Sequence, residues 1–203
     1  MAAIDGPDSH QHRRQGLQPT LQVRLRLNMI IRKATMEERD AMWQLIADSA
    51  RHLSRSYYDD QQIETAIATV FGVDTSLIED GTYFVVELDG ELAGCGGWSK
   101  RKTLYGGDQF TSRDTGYLDP ASEPAKIRAF FIHPNHARKG IARALLNHCE
   151  SEARAEGYRA LELMSTLPGI EFYKSCGFTE TGNFDLQLTE AVTLQLVPMR
   201  KDL

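Results

Sequence analysis

A chain of 203 residues, 41% hydrophobic and 25% charged, has the length and composition to bury one globular core. Its formal net charge of -5 argues against a nucleic-acid partner, and its three cysteines, without C-x-x-C spacing, argue against a disulfide framework or a thiolate metal site. Because no apolar run approaches the roughly 18 residues of a membrane span and the N-terminus lacks a secretory apolar core, we expect a soluble, cytoplasmic protein without a membrane partner.

The N-terminal segment, residues 1–22, is polar, contains Gly and Pro and shows no hydrophobic period. This composition predicts a mobile extension ahead of one domain over residues 23–203. Residues 29–34 have the character of a first strand, and the alternating residues 23–27 lengthen that strand if they belong to it. Whether translation begins at Met1 or at Met29 therefore stays open.

Two helices are predicted after the first strand. Thr35 and Glu38 have the spacing of a capping box, which places a helix start at Met36. Its apolar stripe consists of Met42, Leu45, Ile46 and Ser49. A second helix over residues 59–71 ends at Gly72. Its apolar face consists of Ile63, Ala66, Ile67 and Val70.

A hairpin and a long loop follow the helices. Asp89 and Gly90 form a strong turn signal, which predicts a hairpin of strands over residues 82–88 and 91–100. Residues 103–124 are rich in Gly, Pro, Asp and Ser and show no period. Since so long a connection is uncommon inside a compact domain, we expect either a binding loop or partial disorder there.

The second half of the chain alternates strands with helices. Strands are predicted over residues 126–133, 158–165 and 191–199. A helix runs from Gly140 to Gly157, and a short one over residues 169–176 ends at Gly177. The pattern predicts an α/β fold, a single mixed, twisted sheet of about six or seven strands flanked by helices.

The start of the predicted helix after Gly140 has the properties of an anion site. The first N–H groups of a helix lack partners within it, and the helix dipole adds positive charge there. Gly140 permits close approach of a ligand, and Arg138, Lys139 and Arg143 add positive side chains. An ordinary amphipathic helix with a solvated basic face explains the same residues, so both interpretations stay open at this point.

This segment, Ala137-Arg138-Lys139-Gly140-Ile141-Ala142, resembles the acetyl-CoA signature of the GNAT (GCN5-related) N-acetyltransferase family. The family places Arg or Gln where this chain has Ala137. The resemblance implies splayed central strands, with the backbone of Phe131 and Ile132 pairing with the pantetheine arm of the coenzyme. It also implies that the amides from Arg138 to Ala142 bind the pyrophosphate.

A second segment, Phe172-Tyr173-Lys174-Ser175-Cys176-Gly177-Phe178, resembles the Phe-Tyr-x-x-x-Gly-Phe element of the same family. By this resemblance Tyr173 lies near the coenzyme sulfur and protonates or stabilises the departing thiolate. Without the first segment, an aromatic packed beside Phe172 at a helix end would be the better explanation of Tyr173. Thr166 stands where many relatives have an Asn that bonds the cofactor arm.

The general base has one sequence candidate. Glu162 lies between large apolar residues of a predicted strand, so its carboxylate must face a groove, a partner or a wet sheet face. Water takes this role in many members of the family. The spacing of His133 and His136 lacks further ligands, so we expect no metal, and Cys176 lacks a base beside it.

The acceptor site is indicated only weakly. Three glycines, Gly94, Gly96 and Gly97, fall in one predicted strand, which is consistent with a pocket wall where a ligand comes close. Arg128, on the strand before the anion site, has the position to hold a substrate carboxylate. Further candidates are Tyr57, Tyr58, Trp98, Arg101, Tyr105, Asp108 and Arg113.

The resemblance implies an acetyl-CoA-dependent N-acetyltransferase that transfers the acetyl group to a primary amine by direct attack. The alternative is a non-catalytic acyl-CoA-binding or sensor protein of the same fold. The acceptor is a small-molecule amine or a protein amine, and a homodimer is a further possibility at the level of the family.

Overall fold

A computed structural model describes residues 28–203. The predicted extension, residues 1–22, and the alternating residues 23–27 lie outside the described residues. The strands are β1 Met29–Lys33, β2 Tyr83–Leu88, β3 Glu91–Ser99, β4 Ala125–Ile132, β5 Ala160–Thr166, β6 Thr179–Glu180, β7 Phe184–Thr189 and β8 Val192–Asp202. The α-helices are α1 Arg39–Leu53, α2 Asp60–Thr69, α3 Thr75–Glu79, α4 Ile141–Ala155 and α5 Ile170–Ser175.

The strands form one mixed, eight-stranded sheet in the order β1-β2-β3-β4-β5-β8-β6, with β7 also paired to β8. Within residues 28–203, β4 and β5 are the parallel pair and the other pairs are antiparallel. Their register contains only Ala125 opposite Leu161 and Lys126 opposite Glu162. Beyond these two pairs the strands separate, which confirms the predicted splay at the centre of the sheet.

The apolar stripes of the helices cover the two faces of this sheet. On one face the predicted stripes of α1 and α2 are buried together with Val85, Cys95 and Leu194. On the other face α4 packs Ile141, Leu145 and other apolar residues against strand residues of the same sheet. A helical period of apolar residues thus identifies the buried side of each helix, as predicted.

The start of the first helix differs slightly from the prediction. The Thr35 N–H donates to the Glu38 carboxylate at 3.0 Å, as a capping box requires. The turn Met36–Glu38 that follows is 3₁₀, and the α-helix begins at Arg39. Among the described helices, none is long and apolar enough to cross a membrane.

The loop after β3 is held against the protein although it contains no named helix or strand. The Gln109 side chain donates to the Phe71 carbonyl at 2.7 Å, and Arg101 forms an isolated bridge with Tyr117. The Thr103 hydroxyl donates to the Asp114 carbonyl at 2.6 Å. These bonds fix the loop beside the C-terminal end of α2, where it borders the site described below.

Candidate functional site

A cavity of about 770 Å³ opens where β4 and β5 separate. The residues that line it come from the cores on both faces of the sheet. From the core beneath α1 and α2 they include Val70, Phe71, Tyr105, Phe131, Met164 and Leu196. From the core beneath α4 they include Ile127, Phe130, Ile132, Ile141, Leu163 and Tyr173. The cavity therefore passes through the sheet at the gap between the two strands.

One end of the cavity reaches the start of α4. Gly140 precedes the helix with φ 84°, and Arg138 has φ 63°, so the backbone is left-handed at both residues. Within the described chain, no carbonyl or side chain accepts a hydrogen bond from the amides of residues 138–143. A Cβ atom at Gly140 would meet no atom within 4 Å. These open donors form an anion-binding surface.

The basic side chains near these amides differ in whether they face the cavity. Arg138 and Arg143 line the cavity, and the Arg143 guanidinium donates to the Ser175 hydroxyl at 2.7 Å. Lys139 does not line it, since its Nζ lies 3.2 Å from the Nδ1 of His136. His136 lines the cavity, and its Nε2 lies 3.2 Å from a carboxylate oxygen of Glu91. The positive charge nearest the open amides thus comes from the two arginines.

Tyr173 lies on the cavity wall in α5, with its ring centroid 5.0 Å from that of Phe172 and 5.6 Å from that of Phe178. Among residues 28–203, no group forms a hydrogen bond with its hydroxyl. Burial raises the pKa of Tyr173 well above that of a free phenol, so it stays protonated at ordinary pH. The side chain is therefore a proton donor without a protein acceptor.

A β-bulge in β4 borders the cavity. Cys95 opposes Phe131 and Gly97 opposes Arg128, so Ala129 and Phe130 together face Gly96. Ala129 has φ 53°, a left-handed conformation that an alanine adopts only at a cost. A bulge leaves the extra residue of its strand unpaired. Main-chain groups of β4 are thereby available to a ligand inside the cavity.

The family of the protein follows from comparison with known sequences. Residues 39–178, well over half of the chain, match the model of the acetyltransferase (GNAT) family. The chain belongs to that family. An uncharacterized N-acetyltransferase of Methanocaldococcus jannaschii is 31% identical over 107 residues, which cover 50% of this chain and 40% of that protein. The chain thus spans about two fifths of the length of this curated relative.

Solved structures share the GNAT fold with this chain. A GCN5-related N-acetyltransferase of Rhodopseudomonas palustris superposes with a TM-score of 0.66 at 15% identity, over 88% of this chain and 99% of that one. The PaiA N-acetyltransferase of Thermoplasma acidophilum, solved with coenzyme A, gives 0.59 at 15% identity, over 87% and 99%. YncA of Salmonella typhimurium, solved with its cofactor acetyl-CoA, gives 0.56 at 20% identity, over 86% and 94%.

The structure brings most of the residues predicted from the GNAT resemblance to this one cavity. It is lined by Phe131, Ile132, Ala137, Arg138, Gly140, Ile141, Ala142, Thr166 and Tyr173. Glu162 is not among the lining residues, because it lies where β4 and β5 are still paired. Its carboxylate accepts a hydrogen bond from Lys126 Nζ at 2.5 Å. The geometry therefore gives no support to Glu162 as the general base.

The acceptor-site expectations need correction. The three glycines of β3 do not line the cavity. A Cβ atom at Gly96 would meet the Phe130 ring at 2.5 Å, and one at Gly97 would collide with the Thr82 carbonyl oxygen. These glycines make room for the protein itself. Trp98 is likewise a core residue, packed edge-on against Tyr158.

Arg128 lines the cavity, yet its guanidinium is already bonded. It donates to the carbonyls of Thr103 at 2.8 Å and Gly106 at 2.5 Å, and it lies 2.8 Å from the Asp74 carboxylate. Burial lowers the pKa of Arg128 to about 10, while Asp74 opposes that shift. Arg128 holds the loop in place, and its bonded guanidinium gives no support to the expectation that it binds a substrate carboxylate.

Sequence reasoning gave Tyr58 a place at the acceptor site but missed its actual contacts. Its hydroxyl donates to the Gln195 carbonyl at 2.7 Å and accepts from the Leu167 N–H at 2.8 Å. Burial raises its pKa to about 12. Tyr58 thus ties the end of α1 to β8 and to the turn before α5. No local sequence signal indicates a bond across more than a hundred residues.

Proposed function

We propose that this protein is an N-acetyltransferase that moves the acetyl group of acetyl-CoA directly to a primary amine. The observation that carries the proposal is one cavity joining the open amides before α4 to the hydroxyl of Tyr173. An acyltransferase needs both ends of such a passage, one for the anionic part of the coenzyme and one for the reacting group. Two structural relatives solved with coenzyme A or acetyl-CoA support the choice of coenzyme.

The chain fits this coenzyme at two places. The amides of residues 138–143, with Arg138 and Arg143 beside them, suit the diphosphate because they are unpaired donors at a positive helix end. The edge of β4 beyond Lys126 faces no strand on its β5 side, so Phe131 and Ile132 can pair with the amides of the pantetheine arm as an added strand. Since Ala137 stands where the signature has Arg or Gln, the main chain supplies most of this anion site.

Acetyl-CoA supplies an acetyl group activated as a thioester. The main-chain groups freed by the bulge at Ala129 and Phe130 can hydrogen-bond the acetyl oxygen and stabilise the charge that develops there. The protonated hydroxyl of Tyr173 donates its proton to the departing thiolate. Each group acts on charge that grows during the reaction, which is the condition for catalysis.

The positions of the thiols and carboxylates support direct attack by the amine over a covalent enzyme intermediate. None of the three cysteines lines the cavity. Burial raises the pKa of Cys95 to about 12 and also raises the pKa of Cys149 well above that of a free thiol, so neither is a nucleophile. Glu171 is the one carboxylate among the lining residues, and it is exposed on α5, 3.5 Å from Lys174. The proton of the amine therefore leaves through water.

The proposal is tested by incubating the protein with acetyl-CoA and a panel of primary amines. Release of free thiol is followed by colour reaction, and mass spectrometry identifies the acetylated amine. We expect thiol release that depends on the amine, with a product one acetyl group heavier. Binding of acetyl-CoA without transfer to any amine would favour the alternative, a non-catalytic acyl-CoA-binding protein.

A further inference from the structure

The end of the cavity beneath α1 and α2 is almost entirely apolar. Its walls include Leu53, Val70, Phe71, Phe131, Met164 and Leu196. The rings of Phe71 and Phe131 meet edge to face, with centroids 5.7 Å apart. Tyr105 adds a neutral hydroxyl, and its ring packs 5.6 Å from that of Phe184. Such a surface binds an aromatic or branched alkyl group through burial and ring contacts.

Charged groups at this end are satisfied by the protein. Of the charged residues that line the cavity, Arg138, Arg143 and Glu171 belong to the region of α4 and α5. Arg128 is the charged side chain near the apolar walls, and it is 2% exposed and bonded to Asp74 and to loop carbonyls. In the part of the chain that the structure describes, a substrate carboxylate would find no free cation here, and a second ammonium would find no carboxylate. Burying either charge unpaired is costly.

The size of the cavity also limits the acceptor. A space of about 770 Å³ has to admit the acetyl-bearing arm of the coenzyme as well as the amine. The loop from Leu104 to Gly107 forms part of the wall, and Arg128 holds that loop through its bonds to Thr103 and Gly106. The acceptor therefore shares the cavity with that arm and lies against the wall that this loop forms.

We infer that the acceptor is a small primary amine attached to an uncharged apolar group, an arylalkylamine in chemical type. Amino acids with a free carboxylate and polyamines are poor acceptors by the same argument. This inference rests on the proposed function, since it names the acceptor of that reaction. It also predicts which amines bind, and binding can be measured without turnover.

The test compares amines that share a skeleton and differ in charge. The panel contains 2-phenylethylamine, phenylalanine, spermidine and a tripeptide amide that begins with phenylalanine. We expect kcat/KM for 2-phenylethylamine to exceed that for phenylalanine and spermidine by at least about a hundredfold, since an unpaired buried charge costs several kcal/mol. Equal or faster acetylation of phenylalanine or spermidine overturns the inference, and faster acetylation of the tripeptide replaces it with a peptide N-terminus.

Calorimetry on the protein saturated with coenzyme A separates this inference from the proposed function. If 2-phenylethylamine binds in clear preference to phenylalanine but no amine is acetylated, the apolar acceptor pocket is supported and the proposed transferase activity is contradicted. Binding of 2-phenylethylamine no tighter than that of phenylalanine overturns the pocket itself.

A substitution at the rim tests the location of the acceptor. Leu53 lines the cavity at the end of α1 and is 38% exposed, so Leu53→Glu adds a carboxylate without emptying the core. We expect the ratio of kcat/KM for spermidine to that for 2-phenylethylamine to rise about fivefold, as for one exposed charge pair. Trp43→Glu is the control, because Trp43 lies in the same helix, is equally exposed at 38% and does not line this cavity. An unchanged ratio in Leu53→Glu contradicts the assignment.

Discussion

Two tyrosines near the cavity show how hydrogen bonding separates structural from functional side chains. The hydroxyl of Tyr58 is bonded to two main-chain groups, whereas the hydroxyl of Tyr173 has no partner in the described part of the chain. Tyr173 is partly exposed on the cavity wall, so its hydroxyl is free to bond a group that enters the cavity. A hydroxyl used up by main-chain partners, as in Tyr58, serves the fold instead.

Tyr173→Phe tests the role of the tyrosine hydroxyl in catalysis. We expect kcat to fall about a hundredfold, because the departing thiolate loses its proton donor. The dissociation constant for coenzyme A should stay within about twofold, since the diphosphate is held elsewhere. Steady-state kinetics and calorimetry measure the two quantities. Full activity in this variant would remove Tyr173 from the mechanism.

A further prediction concerns pH. Among residues 28–203, no carboxylate or free histidine lies at the acceptor end of the cavity, so we expect the amine to lose its proton to water before it attacks. We expect kcat/KM to rise with pH until it approaches the pKa of the amine, about 10 for a primary alkylamine. Because the pKa of Tyr173 is raised, the acid stays protonated over this range and no fall should appear. A plateau beginning near neutral pH would reveal a base in the protein.

At the scale of elements, the site depends on strands and helices whose ends are held from a distance. The turn Leu167–Gly169 leads into α5 and so positions Tyr173. Its first amide donates to the hydroxyl of Tyr58, which lies just beyond α1. One side chain on the α1 face of the sheet thereby fixes a helix on the opposite face.

Tyr58→Phe tests this connection. The substitution leaves the Leu167 N–H and the Gln195 carbonyl without their partner, which costs about 1–3 kcal/mol of unfolding free energy. Urea denaturation followed by circular dichroism measures the loss. Tyr57→Phe is the matched control, since Tyr57 is 53% exposed and should change little. Equal stability of the two variants would contradict the role given to Tyr58.

Local patterns predicted the elements whose signals lie within a few residues. The period of α1, the Asp89-Gly90 turn and the glycine before α4 are such signals, and the structure confirms them. The prediction missed β7, although Phe184, Leu186 and Leu188 alternate there, because the run is short and partly exposed. It also missed α3, since a single helical turn carries almost no period.

The sequence predicted those parts of the candidate site whose residues lie together in one continuous segment. The residues around Gly140 and Tyr173 carry recognisable patterns, and the cavity brings both together. The interpretation of Glu162, Arg128 and the β3 glycines depended on partners far away in the chain. A sequence does not reveal that Lys126 pairs with Glu162 or that Asp74 holds Arg128. A charged residue on a strand therefore suggested a functional role, whereas in the structure its charge is paired within the protein.

At the scale of the whole molecule, a buried ionic network joins the two parts that border the acceptor end. Asp74, 1% exposed, lies before α3 and contacts both Arg128 of β4 and Arg113 of the long loop. The Arg113 guanidinium also donates to the Ser76 hydroxyl at 3.0 Å. The network thus fastens the loop to the sheet, and the shape of the acceptor end depends on it.

Arg128→Met tests the network. The carbonyls of Thr103 and Gly106 lose their donor and one oxygen of Asp74 loses its ion-pair partner, so we expect the free energy of unfolding to fall by about 3 kcal/mol. Limited proteolysis should then cut within residues 103–113 faster than in the unchanged protein. The control is Arg51→Met, which removes an exposed pair with Glu64 and should have little effect because water screens it. A loop that resists protease equally in both variants would show that Arg128 does not hold it.

The central claim is that the open main-chain donors before α4 bind the diphosphate of the coenzyme. Amide hydrogen exchange of residues 138–143, read by NMR with and without coenzyme A, tests it most directly. The account predicts that exchange of several of these amides slows about tenfold or more on binding, because each gains a charge-assisted hydrogen bond. Unchanged exchange of these amides in protein saturated with coenzyme A would contradict it.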